Sequence, residues 1–152
     1  MKGIINFLYF TIRRKEVRAA QAKLNKIKIS GIMQNISKTC WNYSIKDEII
    51  IKNENVLIVK LTGDKKTILL KYHKTDMADP DAFESLFTLM QSLEIDRAVY
   101  IATGSFDKKI HKYKNIKSVD GIKFIRGQLG LSGRAWKRIT RDKICFAQYM
   151  PF

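Results

Sequence analysis

Cysteine is nearly absent from this chain. Cys40 and Cys145 stand far apart, there is no Cys-x-x-Cys, and the only histidines are His73 and His111. That excludes the usual structural zinc spacings and a disulfide framework, and it fits thiols kept reduced inside a cell. Proline is as scarce, at two residues, and the eight glycines form neither a Walker-type phosphate loop nor a Gly-x-Ser-x-Gly elbow. "GLSGRA" at 130–135 reads as an ordinary loop before a helix. Long apolar runs are missing too: "IINFLYFTI" at 4–12 is the best of them. It is about half the roughly 20 residues that a membrane-spanning helix needs. No transmembrane span is expected. Flanked by Lys2 and "RRKEVR", this start has the look of an Arg-rich mitochondrial presequence or a weak signal peptide, though one expected to be retained.

Acid is the scarcer charge. Against 29 Lys and Arg there are 14 Asp and Glu, a net charge of +15. Such a bias stores self-repulsion unless a polyanion neutralises it, so nucleic acid is the first candidate partner. The imbalance is also segregated. Residues 1–30 hold eight bases and one acid, and residues 108–143 hold twelve bases and two acids. Residues 76–96 hold six acids and no base. A basic surface applied to phosphate, with an acidic element turned elsewhere, accounts for that distribution. With 152 residues, 45% of them apolar, the chain is long enough for one core without a metal or disulfide staple.

Periodicity supplies the elements. Ile5, Leu8, Ile12, Ala19, Ala20 and Leu24 recur at helical spacing, predicting a basic amphipathic helix over 3–26, suited to phosphates or to lipid headgroups. From residue 40 the pattern shortens into "TCWNYSI", "EIIIK", "VLIVKLT" and "TILLKYH", which predict an antiparallel meander. Gly63–Asp64 should turn a hairpin between the last two runs, both apolar enough to be buried on two faces. "DPDAFESLFTLMQSLE" opens a helix with Asp79 as cap and Pro80 in the first turn, and Phe83, Leu86, Phe87, Met90 and Leu93 form its core stripe. "RAVYIAT" reads as a buried strand, "SFDKKIHKYKN" as a short helix and "IKFIRG" as a further strand, implying a βαβ crossover. The tail interleaves Arg134, Lys137, Arg138, Arg141 and Lys143 with Trp136, a mixture that suits nucleic acid, although Trp136 itself reads more readily as a core anchor.

Over residues 55–126 this order of elements, with "ILLKYHKTD" at 68–76 and the turn Thr103-Gly104-Ser105-Phe106, resembles the Mrr-like branch of the restriction-endonuclease, or PD-(D/E)XK, superfamily. The resemblance implies an α/β fold with a restriction-endonuclease-like mixed central sheet flanked by helices. To this are added a basic N-terminal helical extension (1–30) and, within the single domain 31–152, a basic C-terminal segment. That family cuts DNA with a divalent metal held by an Asp and a Glu or Gln, and a Lys two residues further on. Here Lys71 falls at the oxygen-ligand position, His73 at the lysine position, and Asn55 or Val56 at the earlier acid. An ammonium only donates hydrogen bonds and repels Mg²⁺, so no metal and no cofactor is expected.

The expected function is nucleic-acid binding by an inactive nuclease-like fold, RNA ahead of DNA, as a resident of a larger ribonucleoprotein such as a mitochondrial ribosome, among protein neighbours. Arg13, Arg14, Arg18, Lys71, Lys74, Arg134, Lys137, Arg138 and Arg141 are the expected phosphate contacts. The competing reading is an Mg²⁺-dependent endonuclease. It would use displaced carboxylates from Glu54, Asp76 or Asp64, with Lys74 stabilising charge and His73 as base.

Overall fold

A computed structural model describes residues 18–110, 113–129 and 144–152. The described part is a mixed five-stranded sheet flanked by four helices. In chain order it runs α1 (residues 18–26), α2 (Ile29–Asn42), β1 (Lys46–Lys52), β2 (Val56–Thr62), β3 (Thr67–His73) and β4 (Met77–Ala78). Then follow α3 (Pro80–Ser92), β5 (Arg97–Ala102), β6 (Ser105–Phe106), β7 (Ile116–Val119), α4 (Gly121–Leu129) and a 3-10 turn at Ala147–Tyr149. The main sheet has the order β1-β2-β3-β5-β7, antiparallel through the meander β1-β2-β3 and parallel from β3 through β5 to β7. A small parallel pair, β4-β6, lies apart from it.

Alternation along the inner strands assigns each side chain to a layer. Leu57, Val59, Leu61, Ile68, Leu70, Tyr72, Val99 and Ile101 face a core shared with Ala20 and Leu24 of α1, Ile32 and Ile36 of α2, Phe124 of α4, and Phe146 and Tyr149 near the C-terminus. Ile58, Leu69, Ala98 and Tyr100 face the opposite core, filled by Phe83, Leu86 and Met90 of α3. The hairpin strands β2 and β3 are thus buried on both faces, as their continuous apolar character predicts. Their turn closes where Gly63 N–H donates to Lys66 O (2.8 Å), and a Cβ on Gly63 would lie 2.1 Å from Pro151 O.

The start of α3 is as expected: Pro80 opens it, and Asp79 Oδ1 accepts from Ala82 N–H at 2.9 Å. Phe83, Leu86 and Met90 of its stripe are buried, with Phe87 and Leu93 packed against them. Helices α2 and α3 end alike. Ser44 and Glu94 take up left-handed backbone (φ 55° each), and the buried Ile45 and Ile95 behind them return N–H bonds to Cys40 O and Met90 O.

Three elements differ from expectation. "TCWNYSI" is not a strand: residues 39–42 finish α2, whose buried Ile29, Ile32, Met33, Ile36 and Cys40 repeat at helical spacing. "SFDKKIHKYKN" forms no helix among its described residues. Ser105 N–H and Asp107 N–H instead bond Asp76 O and Ala78 O (3.0 and 2.9 Å), which makes the β4-β6 pair. Among the described residues, the chain thus runs from β5 to the parallel β7 without the short crossover helix expected between them; the helix-bridged parallel pair is β3-α3-β5. "IKFIRG" is helical, because Asp120 captures Lys123 N–H with its side chain (2.8 Å) and Phe124 N–H with its carbonyl (2.9 Å). The strand that extends the sheet is the preceding "IKSV". Of the predicted helix over 3–26, only 18–26 lies within the described residues, and it is helical.

Candidate functional site

β3 carries Leu69, Lys71 and His73 toward α3. Lys71 has Ile58 of β2 and Tyr100 of β5 as its strand neighbours. The first turn of α3 crosses these positions because Asp79 caps it there, and so the backbone of Ala82 arrives beside Lys71. The lysine is only 5% exposed. Its Nζ donates to Ala82 O at 3.2 Å and sits 4.5 Å from the centre of the Tyr100 ring. Carbonyl and π-face thus share the ammonium. The ring is held in turn by Phe83 stacked at 4.9 Å and Phe106 edge-on at 5.2 Å, and its hydroxyl shares a 2.6 Å hydrogen bond with His73 Nδ1.

Burial pushes Lys71 down to about 8, against the opposing charge of Asp79. His73 is also held below its usual value, first by burial and then by the charge of Lys71, again opposed by Asp79. The Tyr100 phenol is raised by burial and by Asp79. Three titratable groups and one capping carboxylate are therefore coupled in a single half-enclosed cluster. Asp79 and Tyr100 are the members that sequence reasoning does not place here. Asp79 reads only as a helix cap; Tyr100 has one signal, the single polar-tipped residue within the otherwise apolar "AVYIA". Asp79→Ala is expected to destabilise the protein by about 1 kcal/mol through the lost cap, measured by urea unfolding. It should also lower the Lys71 pKa further, read by NMR titration of the Lys71 ammonium.

Around this cluster the strand ends are tied by backbone. Thr103 N–H donates to His73 O (3.0 Å), Lys74 N–H to Asn55 O (2.7 Å) and Gly121 N–H to Gly104 O (2.8 Å), while Thr103 Oγ1 accepts from Thr75 N–H (3.1 Å). The other expected site residues are scattered. Arg18 is exposed on α1 and Lys74 is half-buried beyond the end of β3. Arg13, Arg14, Arg134, Lys137, Arg138 and Arg141, with Lys143 and Trp136, lie outside the described residues. Glu54 and Asp76 are exposed in the loops nearest His73, whereas Asp64 occupies the hairpin turn at the other end of β3. That is about 20 Å away along the strand.

A divalent metal does not fit this cluster. Its central donor is a cation already bonded to Ala82 O, and among the described residues no three His, Cys, Asp or Glu side chains gather as ligands. Nor is any helix among the described residues long and apolar enough to cross a membrane. Comparison with family models, curated proteins and solved structures returns no match to this chain.

Proposed function

We propose that this protein binds nucleic acid without cutting it, on a restriction-endonuclease-like core of the Mrr type whose metal seat has been closed. The order of its elements supports the reading: a helix, an antiparallel meander, a helix and a strand parallel to β3. So does the turn Thr103-Gly104-Ser105-Phe106, which follows β5 directly and backs onto Asp76. The observation that carries it is Lys71. Where that family offers oxygen to Mg²⁺, this chain has an ammonium sealed by Ala82 O and the face of Tyr100.

Burial also removes Lys71 from the set of expected phosphate contacts, since an ammonium bonded inside the α3 layer does not meet a polyanion at the surface. Its role is to close the seat. The exposed excess of Lys and Arg supplies the attraction, and a net charge of +15 suits residence in a larger ribonucleoprotein.

Two measurements on the purified protein test this. Supercoiled plasmid incubated with Mg²⁺ or Mn²⁺ should remain uncut; metal-dependent nicking abolished by Glu54→Ala/Asp76→Ala would establish the endonuclease instead. Affinity for labelled RNA should fall on the order of 10²-fold between 50 and 200 mM salt, as four or five neutralised phosphates require. A salt-independent affinity would remove the proposal.

A further inference from the structure

At the opposite end of the sheet from Lys71 and His73 lies a groove of about 460 Å³, in the size range of ligand sites. It opens where β3, β5 and β7 begin. Its cationic lining is Lys66, Arg97, Lys114 and Lys117, and among the described residues no acidic side chain borders it. All four are exposed. The strand register explains why they converge: Arg97 pairs with Ile68 and Lys117 with Val99, so residues distant in sequence reach one sheet end across three neighbouring strands. That lays the charges over about 10 Å.

The rest of the lining is apolar or amide. The buried Ile68, Ala98 and Val99 and the C-terminal strip from Gln148 to Phe152 complete the lining. Lys117 Nζ lies 5.7 Å from the centre of the Tyr149 ring. Phe152 packs edge-on to Tyr43 at 5.0 Å yet is 60% exposed, which leaves an aromatic face at the rim.

We infer that this groove is a binding site for single-stranded nucleic acid. The inference rests on the reading of the chain as a nucleic-acid binder, and it assigns that binding to a surface away from the closed nuclease cleft. Four cations with no Asp or Glu side chain beside them among the described residues suit a phosphodiester backbone. The exposed Phe152 ring at the rim suits unstacked bases, which a duplex keeps hidden. Asn115 and Gln148 also line the groove, and their amides can donate and accept.

Fluorescence anisotropy with a labelled oligouridine RNA tests it. The variant K66E/R97E/K114E/K117E is compared with K38E/K46E/K52E/K109E, which carries the same charge change on exposed lysines outside the groove. Circular dichroism checks that both are folded. The groove variant should lose at least tenfold more affinity than the control, and its salt slope should fall by about 0.7 for each phosphate it no longer neutralises. Phe152→Ala should weaken binding roughly tenfold through lost stacking, with the salt slope unchanged. Equal losses in the two charge variants, with the wild type binding, would overturn the groove and leave nucleic-acid binding standing. No wild-type binding to RNA or DNA at 50 mM salt would overturn both. A matched duplex bound as tightly as the single strand, or polyglutamate competing as well as RNA, would overturn the assignment to single strands.

Discussion

Replacing Lys71 with methionine is expected to make the protein more stable at pH 7, by about 2 kcal/mol. The ammonium is 5% exposed and held by one carbonyl and one ring, less than its lost hydration. Methionine fills a similar volume and forfeits only the bond to Ala82 O. The pH dependence carries the same information with a definite sign. In the folded chain Lys71 titrates at about 8, against 10.5 for an ordinary lysine. Between those values the unfolded chain holds a proton that the folded chain has released, so wild-type stability should climb with pH. Taken alone, Lys71 contributes a climb on the order of 3 kcal/mol, complete by about pH 10.5. The buried Cys40 thiol, pushed up from 9.0 to about 11, and the raised phenols of Tyr72, Tyr100 and Tyr149 act the opposite way. From about pH 9 for the thiol and about pH 10 for the phenols, the folded chain keeps protons that the unfolded chain loses, and stability should fall again. Urea unfolding at intervals from pH 7 to 11 should therefore show a maximum near pH 9 in the wild type. In Lys71→Met only the alkaline fall should remain. A variant that is less stable at pH 7, with the climb intact, would show that the cluster does not strain the lysine.

The second large effect concerns a single methyl group. Gly104→Ala is expected to cost about 3 kcal/mol, at the top of the usual range for overpacking. A Cβ there would lie 2.2 Å from Asp76 O and 2.4 Å from Thr75 O, both backbone atoms. These in turn are fixed by Ser105 N–H on Asp76 O and by Thr103 Oγ1 on Thr75 O. To make room, the tie between the ends of β3 and β5 has to open, and that tie also positions His73. Gly127→Ala is the contrasting case. Its nearest neighbour, at 2.7 Å, is the side-chain amide of Gln148, which can swing aside, and Gly127 sits within α4, where alanine is favoured. That variant should be neutral or slightly stabilised. Thermal and urea melts of the two variants provide the comparison, and similar losses in both would contradict the packing argument.

How much of this was legible in the sequence differs by element. The hairpin β2-β3 and helix α3 were, because continuous apolar runs, Gly63–Asp64 and the pair Asp79–Pro80 are local signals. Helix α2 was missed although Ile29, Ile32, Met33, Ile36 and Cys40 show its period, because the aromatic and β-branched residues at its end read as strand. The segment "IKFIRG" was misassigned for a related reason: over six residues apolar alternation and helical spacing look alike, and the Asp120 cap lies just outside it. The turn at 103–106 was located, but its pairing with Asp76 and Ala78 depends on a segment some 28 residues away.

Composition, charge sign and the order of the central elements were properties of the sequence alone. So was the presence of Lys71 and His73 in the third of the apolar runs, since residue identity decides which atoms can meet a metal. Only the tertiary structure decided what those residues do. Whether Lys71 reaches solvent depends on which face β3 turns toward α3 and on where the Asp79 cap sets down the backbone of Ala82. Likewise, Lys66, Arg97, Lys114 and Lys117 carry no local pattern and become neighbours only when three strands align in parallel. Local chemistry is written residue by residue, but proximity between distant residues is set by the register of a sheet.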